Sequence, residues 1–518
     1  MTYEERAMLT PSSFRRSSVV LASIALVAAS ARAQTSPESE LEQIRAENAA
    51  MREQLRKIEE RQETLLHLVD QLQRRLDGTA APVPQAPEPA SALPAAAAPP
   101  RPPASAQATP SSKKPPDVID TGEAYDDSIL LSKSREGASI PYRLSLWDIT
   151  QVRFTNSLLG NKEYTDHLGA ARPVIRRNDF SLNRNMFQFV GYVFDPRLKF
   201  NLITWASNSS ATVVIGGYVS WQFNKAIGIY AGYWGAPGSR TLTGSFPYFV
   251  QPERSMADQF FRPGFTQGTW IQGLVWKGLN YELFTGNGLN TLTVPTTKID
   301  PHLVYSGSIW WEPLGVYGIP GRARGMYDDY ENTKKPVIRV GASATKSKEN
   351  RFSNLDQGNP ENTGIYNSDG VNIFATGAFA PGVTLTYATY RMLAFDGGVK
   401  LRGWAVNGQY FFRWLNNFRA DGPIPIGSTF DHGFEFILSK FLVPKKWEIY
   451  GRTSFVFGQF RNSYEYAPGI KYYLVSNHRV WLTAEGLRIF KSPVAAVITP
   501  YNSGFNGWSP MLQWMFNF

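Results

Sequence analysis

Three arginines, Arg240, Arg254 and Arg262, share one stretch, Gly235–Gly264, with Phe246, Tyr248, Phe249, Phe260 and Phe261. A guanidinium carries a permanent charge and a planar fork of donors that matches phosphate or carboxylate oxygens. A loop this rich in aromatic side chains is built to pack against something, not to sit in water. The combination predicts a constriction that binds small anions. Lys199, Arg452 and Lys471 lie on the polar faces of alternating segments and are expected to line the same wet space. The competing reading of each cation is a rim charge or the partner of a nearby carboxylate.

Catalysis has less to stand on. Of the five histidines, His67 falls in a heptad region, while His302 and the pair Asp431-His432 fall at loop–strand junctions. No serine or aspartate accompanies them at a spacing that would complete an acid–base or nucleophilic set, so no enzyme is expected. There is no metal or cofactor motif. Cysteine is absent, which excludes disulfides, thiolate metal sites and a cysteine nucleophile.

The elements that position these residues begin after an N-terminal targeting segment. Residues 1–33 carry Arg15 and Arg16, an apolar run from Val19 to Ala29, and small residues at Ala31 and Ala33, the pattern of a cleaved signal peptide. Residues 34–78 hold an unbroken heptad. Leu41, Asn48, Leu55, Gln62, Val69 and Leu76 take one seam position; Ile44, Met51, Ile58, Leu65 and Leu72 take the other. So narrow an apolar stripe implies a self-associating coiled coil, with Asn48 and Gln62 setting register. The heptads fit a dimer or a trimer. Residues 79–139 are a Pro- and Ala-rich tether, expected to be extended and disordered, ending in a lead-in to the next domain.

Residues 140–518 read as strands. The chain is 14% aromatic with a mean hydropathy of −0.27, and no stretch reaches the ~18 consecutive apolar residues of a spanning helix. In Leu198–Trp205, Leu198, Phe200 and Leu202 alternate with Lys199 and Asn201. In Trp447–Phe457, Trp447, Ile449, Phe455 and Phe457 alternate with Glu448, Tyr450, Arg452 and Ser454. Tight turns are expected at Asp195-Pro196, Ala380-Pro381-Gly382 and Val443-Pro444-Lys445, and long loops at Gly235–Gly264, Thr345–Gly370 and Asn416–Asp431. Short turns against long loops is the asymmetry of outer-membrane barrels. A soluble sandwich alternates as well, but the last segment separates the two. Leu512, Trp514, Phe516 and Phe518 share one face of Met511–Phe518, an aggregation hazard on a soluble edge strand and an assembly signal on a barrel. About sixteen strands are expected, with Lys400–Leu442 resisting assignment. The fold expected is an all-β transmembrane antiparallel barrel.

These residues resemble the phosphate-selective porins O and P. Arg176–Trp205 is similar to the family's early arginine-bearing hairpin. Gly232 through Pro252-Glu253-Arg254-Ser255 resembles its third-loop region, and Lys445–Arg452 its late turn and following strand. The resemblance implies a trimer of sixteen-stranded barrels with an inward-folded third loop. The coiled coil departs from that pattern and is similar to the periplasmic extension of some sugar porins, which leaves general or sugar transport as the alternative.

From Pro141 to Phe518 there are 37 Lys and Arg against 24 Asp and Glu, which predicts a basic lumen. Expected partners are a second and third copy of the chain, outer-membrane lipid, the assembly machinery, small anions and peptidoglycan through the coiled coil. No basic helix stripe marks a nucleic-acid surface.

Overall fold

The computed structural model describes residues 128–518, apart from 245, 292, 293, 295, 319–325, 356–362, 476 and 477. The signal segment 1–33, the heptad region 34–78 and the tether up to residue 127 lie outside the described residues.

Sixteen antiparallel strands close into one barrel. They are β1 (Tyr142–Asn156), β2 (Asn178–Val193), β3 (Asp195–Ser207), β4 (Thr212–Gln222), β5 (Gly228–Gly235), β6 (Phe265–Trp276), β7 (Leu279–Gly286) and β8 (Val304–Trp311). They continue as β9 (Val337–Asn350), β10 (Leu385–Leu401), β11 (Trp404–Ala420), β12 (Ser428–Val443), β13 (Trp447–Phe457), β14 (Asn462–Tyr473), β15 (Val480–Phe490) and β16 (Gly507–Asn517). Each pairs with its sequence neighbours, and β1 closes the ring by pairing with β2 on one side and β16 on the other. At the seam Phe518 donates its N–H to the Asp148 carbonyl at 3.0 Å and accepts from Asp148 N–H at 2.6 Å.

The strands follow the period-two pattern of their residues. Along β13, Glu448, Tyr450, Arg452 and Ser454 are buried while Trp447 and Ile449 face outward. On β16, Met511, Gln513 and Met515 point inward, and Trp508, Phe516 and the following Phe518 are exposed outside at 48%, 37% and 40%. Lys400–Leu442, unassigned from sequence, belongs to the long strands β10, β11 and β12. Its alternation was masked because Phe411 and Leu415 point inward with Arg413, so apolar side chains occupy both faces of β11.

One end of the barrel carries tight turns. Between β10 and β11, Arg402 and Gly403 both have positive φ, the geometry of a two-residue hairpin turn. Val443-Pro444-Lys445 turns as expected, with Lys446 N–H on the Val443 carbonyl at 3.0 Å. Ala380-Pro381-Gly382 is a turn too, but inside the segment 351–384 at the opposite end. The loop expected at Asn416–Asp431 shrinks to 421–427, and the one expected from Thr345 starts after Asn350. One connection breaks the asymmetry: 312–336 is long yet lies at the tight-turn end.

The lead-in is ordered in its final part. Ile129–Lys133 pairs with the start of β1, Ile129 opposite Leu146 and Lys133 opposite Arg143.

Candidate functional site

Segment 236–264 folds into the barrel. Its local chemistry explains how. Ser255 caps a short helix, α1 (Met256–Phe261), its hydroxyl accepting from Asp258 N–H at 3.1 Å, as N-cap serines do. The helix's other free N–H groups reach the wall: Met256 N–H donates to Glu465 Oε1 (3.0 Å) and Ala257 N–H to Ser454 Oγ (3.2 Å). Wall side chains thus take up the unmet donors of a helix start. Phe261 stacks on Phe411 at 5.3 Å, and the Arg413 guanidinium sits 3.9 Å over Phe260. The aromatic residues of this segment are therefore packing surface for β11–β14.

The three arginines expected at a constriction all lie in this segment, each buried among partners. Arg240 donates from Nη1 to Asn407 Oδ1 at 2.8 Å and lies 3.9 Å over Tyr327. Arg254 is 3.4 Å from Glu253 Oε1 and 3.8 Å from Asp258 Oδ2. Arg262 is 4.0 Å from Asp258 Oδ2 and donates to Gln259 Oε1 at 3.1 Å. Arg254 and Arg262 converge on Asp258, whose Oδ2 also accepts from Thr241; Arg240 points elsewhere.

Of the expected lining residues, Lys199 is buried on the inward face of β3. Arg452 is clamped between Glu465 and Glu485, at 2.7 Å each. Lys471 donates to the Phe249 carbonyl at 2.9 Å and stands 3.6 Å from Asp328. The outward Phe518, Phe516 and Trp514 lie on the seam strand and its end.

Sequence reasoning missed the carboxylates that organise these cations. Glu253 holds Arg153 (3.1 Å) and Arg184 (2.7 Å) as well as Arg254. It sits beside Arg254 in sequence, while Arg153 and Arg184 arrive from β1 and β2. A second omission is 312–336. It enters the lumen from the tight-turn end: Lys400 Nζ donates to the Tyr317 and Met326 carbonyls (2.7 and 2.8 Å), and Tyr473 Oη to Asp328 Oδ2 (2.9 Å). Its length and the run Tyr327-Asp328-Asp329-Tyr330 were the available signals. Segments 351–384 and 491–506 also reach inside, where the Tyr366 carbonyl accepts from Arg413 (2.7 Å) and the Ile498 carbonyl from Arg153 (2.8 Å).

The buried charges alone do not carry the expectation of a basic lumen. Among the described residues 17 Asp and Glu are buried against 11 Lys and Arg. The fully buried charges are thus acid-rich, and the excess of cations lies among the partly exposed and exposed positions. Buried charges persist only where paired or hydrogen-bonded, and Arg153, Arg184, Arg254, Arg262, Arg413 and Arg452 each meet a carboxylate.

The other side of the lumen is different. Between the folded-in segment and the wall of β2–β8 lies a cavity of about 180 Å³, more than ten times what one water needs. Trp205, Tyr218, Tyr230, Trp234, Trp270 and Trp310 line it, with Arg184, Asn201, Arg254 and Glu282 among its polar groups.

Asp431 and His432 do not form a pair. Adjacent on β12, they face opposite sides: Asp431 inward to Arg413 at 2.8 Å, His432 outward to the Tyr410 hydroxyl at 2.7 Å. His302 meets Asp300, two residues away, at 2.5 Å and lies at a steep angle to the Tyr387 ring, 5.8 Å between centroids.

A closed sixteen-stranded antiparallel barrel, apolar outside and polar within, its lumen narrowed by segments entering from both ends, is the class this chain defines. Among solved structures it is similar to an anion-selective porin from Comamonas acidovorans (10% identity, TM-score 0.45, covering 73% of this chain and 100% of that one). It is similar also to the outer-membrane expressed OmpT of Vibrio cholerae (8%, 0.45, 75% and 100%) and to OprB of Pseudomonas putida (11%, 0.41, 73% and 94%). No protein-family model and no curated protein matches the chain. The barrel assignment rests on this chain's own strand pairing.

Proposed function

We propose that the chain is an outer-membrane porin, a passive diffusion channel for small hydrophilic solutes. One observation carries this reading: polarity inverts across the wall. Trp447, Ile449 and Phe516 face outward while Glu448, Arg452 and Gln513 face in. A water-soluble barrel reverses that order; only a surrounding lipid phase makes the outward face favourable. Closure leaves no unpaired strand edge in lipid. The open cavity beside 236–264 is the proposed path, and 34–78 the proposed periplasmic self-association helix of a trimer.

A second reading, preference for anions such as phosphate, is favoured by Arg184 and Arg254 on the cavity wall. Against it stands Glu253, which both arginines contact. Planar-bilayer recording of the full chain tests both. Stepwise conductance is expected, and the sign of the reversal potential in asymmetric KCl decides between anion and cation preference. A folded, heat-modifiable barrel that conducts no ions overturns the channel reading.

A further inference from the structure

The outer wall carries a pair of charges that a lipid-facing surface disfavours. Lys346 on β9 and Arg391 on β10 are direct cross-strand partners, both exposed on the outward face. Neither side chain makes an ion pair or a hydrogen bond to any described residue. Like charges directly opposite each other on one sheet face repel, and a cation on the lipid face of a barrel costs more the deeper it lies. The pair stands between two rings of the same outward row, Tyr305 opposite Lys346 and Trp414 opposite Arg391. Such rings mark the boundary between lipid tails and headgroups. The boundary is the one on the loop side, because Lys346 lies close to the loop end of β9 (Val337–Asn350).

The next outward row towards the tight turns has a notch in it. Across β5–β10 this row runs Ile229, Ile271, Leu283, Gly307, Ala344 and Leu393. Gly307 and Ala344 leave the wall nearly bare between two leucines, and a groove of about 1000 Å³ opens there on the outer face. Its sides are largely aliphatic, and Lys346 and Arg391 line its loop-side end. An apolar groove facing lipid suits an acyl chain, and two unpaired cations above it call for an anion. Two adjacent cations match a phosphate monoester, which carries about −1.5 to −2, better than a diester with a single charge. The arginine adds a planar fork that fits phosphate oxygens. Free phosphate has no chain for the groove, and a zwitterionic lipid brings a further cation to the pair.

We infer that the outer groove across β7–β10 is a binding site for a phosphorylated lipid of the loop-side leaflet. Its monoester phosphate is held between Lys346 and Arg391, and one acyl chain lies over Gly307 and Ala344. The bound lipid neutralises the charge pair and fills the notch in the wall. This rests on the outer-membrane part of the porin reading, which puts the outward face in lipid, and not on conduction.

The test uses the full chain, folded in a neutral detergent, with lipid retention read by native mass spectrometry. The probes are dilauroyl phosphatidic acid, phosphatidylglycerol and phosphatidylcholine, with inorganic phosphate as competitor. Phosphatidic acid is expected to be retained best, phosphatidylglycerol more weakly and phosphatidylcholine least, and inorganic phosphate is expected to compete poorly. Lys346→Gln and Arg391→Gln are each expected to weaken retention of phosphatidic acid about tenfold. Both changes relieve a repulsion, so the heat-modifiable barrel is expected to persist. Ala344→Phe keeps the cations and fills the notch, and it is expected to weaken retention as well. Unchanged retention in the double Gln variant overturns the site, as does equal retention of phosphatidylcholine. Competition by inorganic phosphate as strong as that by the lipid shows an anion site without a chain groove and overturns it too. An oligomer that retains no lipid and that Ala344→Phe breaks apart shows a second copy in the groove, which also overturns it. A conducting barrel that retains no phosphatidic acid overturns the site and leaves the porin reading standing. A barrel that retains it but never conducts does the reverse.

Discussion

The two sides of the lumen are built on opposite principles. Along β11–β15 the wall is charged and filled: Arg413, Arg452, Glu465 and Lys471 are each no more than 3% exposed, and all four meet side chains or carbonyls of entering segments. Along β2–β8 the wall is aromatic and open. Charges demand partners once water is withdrawn, so the charged side draws 236–264, 351–384 and 491–506 onto itself. Aromatic rings impose no such demand and leave room. The proposed path therefore runs along the aromatic wall and not the densely charged one, opposite to the arginine-lined constriction that the sequence suggests.

The largest expected effect comes from breaking the charged side. Glu253→Gln leaves Arg153, Arg184 and Arg254 around a neutral amide, and loss of one partner from a buried pair costs ~3–5 kcal/mol. The denaturation midpoint of the folded barrel should fall accordingly; a midpoint equal to the parent's would mean that water already solvates that cluster. On the aromatic side, Trp234→Ala removes a ring that is partly exposed. It should cost less, about 2 kcal/mol by comparison with fully buried aromatics, while raising single-channel conductance. A conductance drop would place the path elsewhere. Changing Arg240, Arg254 and Arg262 together to Gln deepens the interior's acid surplus, and the reversal potential should move towards cations by a modest amount. An unmoved potential separates those arginines from the path altogether. The smallest effect is expected at Lys445, paired with Glu331 at 2.8 Å with both side chains exposed. Lys445→Ala should alter stability by less than ~1 kcal/mol, and a larger loss would show that 312–336 is anchored through its rim.

How much of this was legible in the residues follows from the range of each interaction. The alternation of Trp447–Phe457 and the outward face of Met511–Phe518 are local, and both emerge in the strands as read. β11 was illegible because Phe411 stacks on Phe261 of α1, which lies about 150 residues earlier in the chain; its inward apolar side chain looks like a broken pattern until α1 is in place. The candidate site was half legible. That Gly235–Gly264 packs inward could be read from its aromatic content. That its arginines answer to Glu253 and Asp258 could not, since a charge count carries no pairing. The aromatic cavity was missed for a related reason: Trp205, Tyr230, Trp270 and Trp310 sit on separate strands, and only the curvature of the wall gathers them.

The short ladder between Ile129–Lys133 and β1 has a mechanical meaning. Any pull on the chain ahead of Ile129 reaches its pairing with Leu146 first and must undo the ladder towards Lys133 and Arg143 before it loads the pairing of Tyr142 with Val193. Hydrogen bonds opened one after another yield at low force, and the few residues they release lengthen the connection. The ladder is expected to act as a fuse: strain arriving from the N-terminal side is spent on this hairpin before it reaches the closed wall behind it.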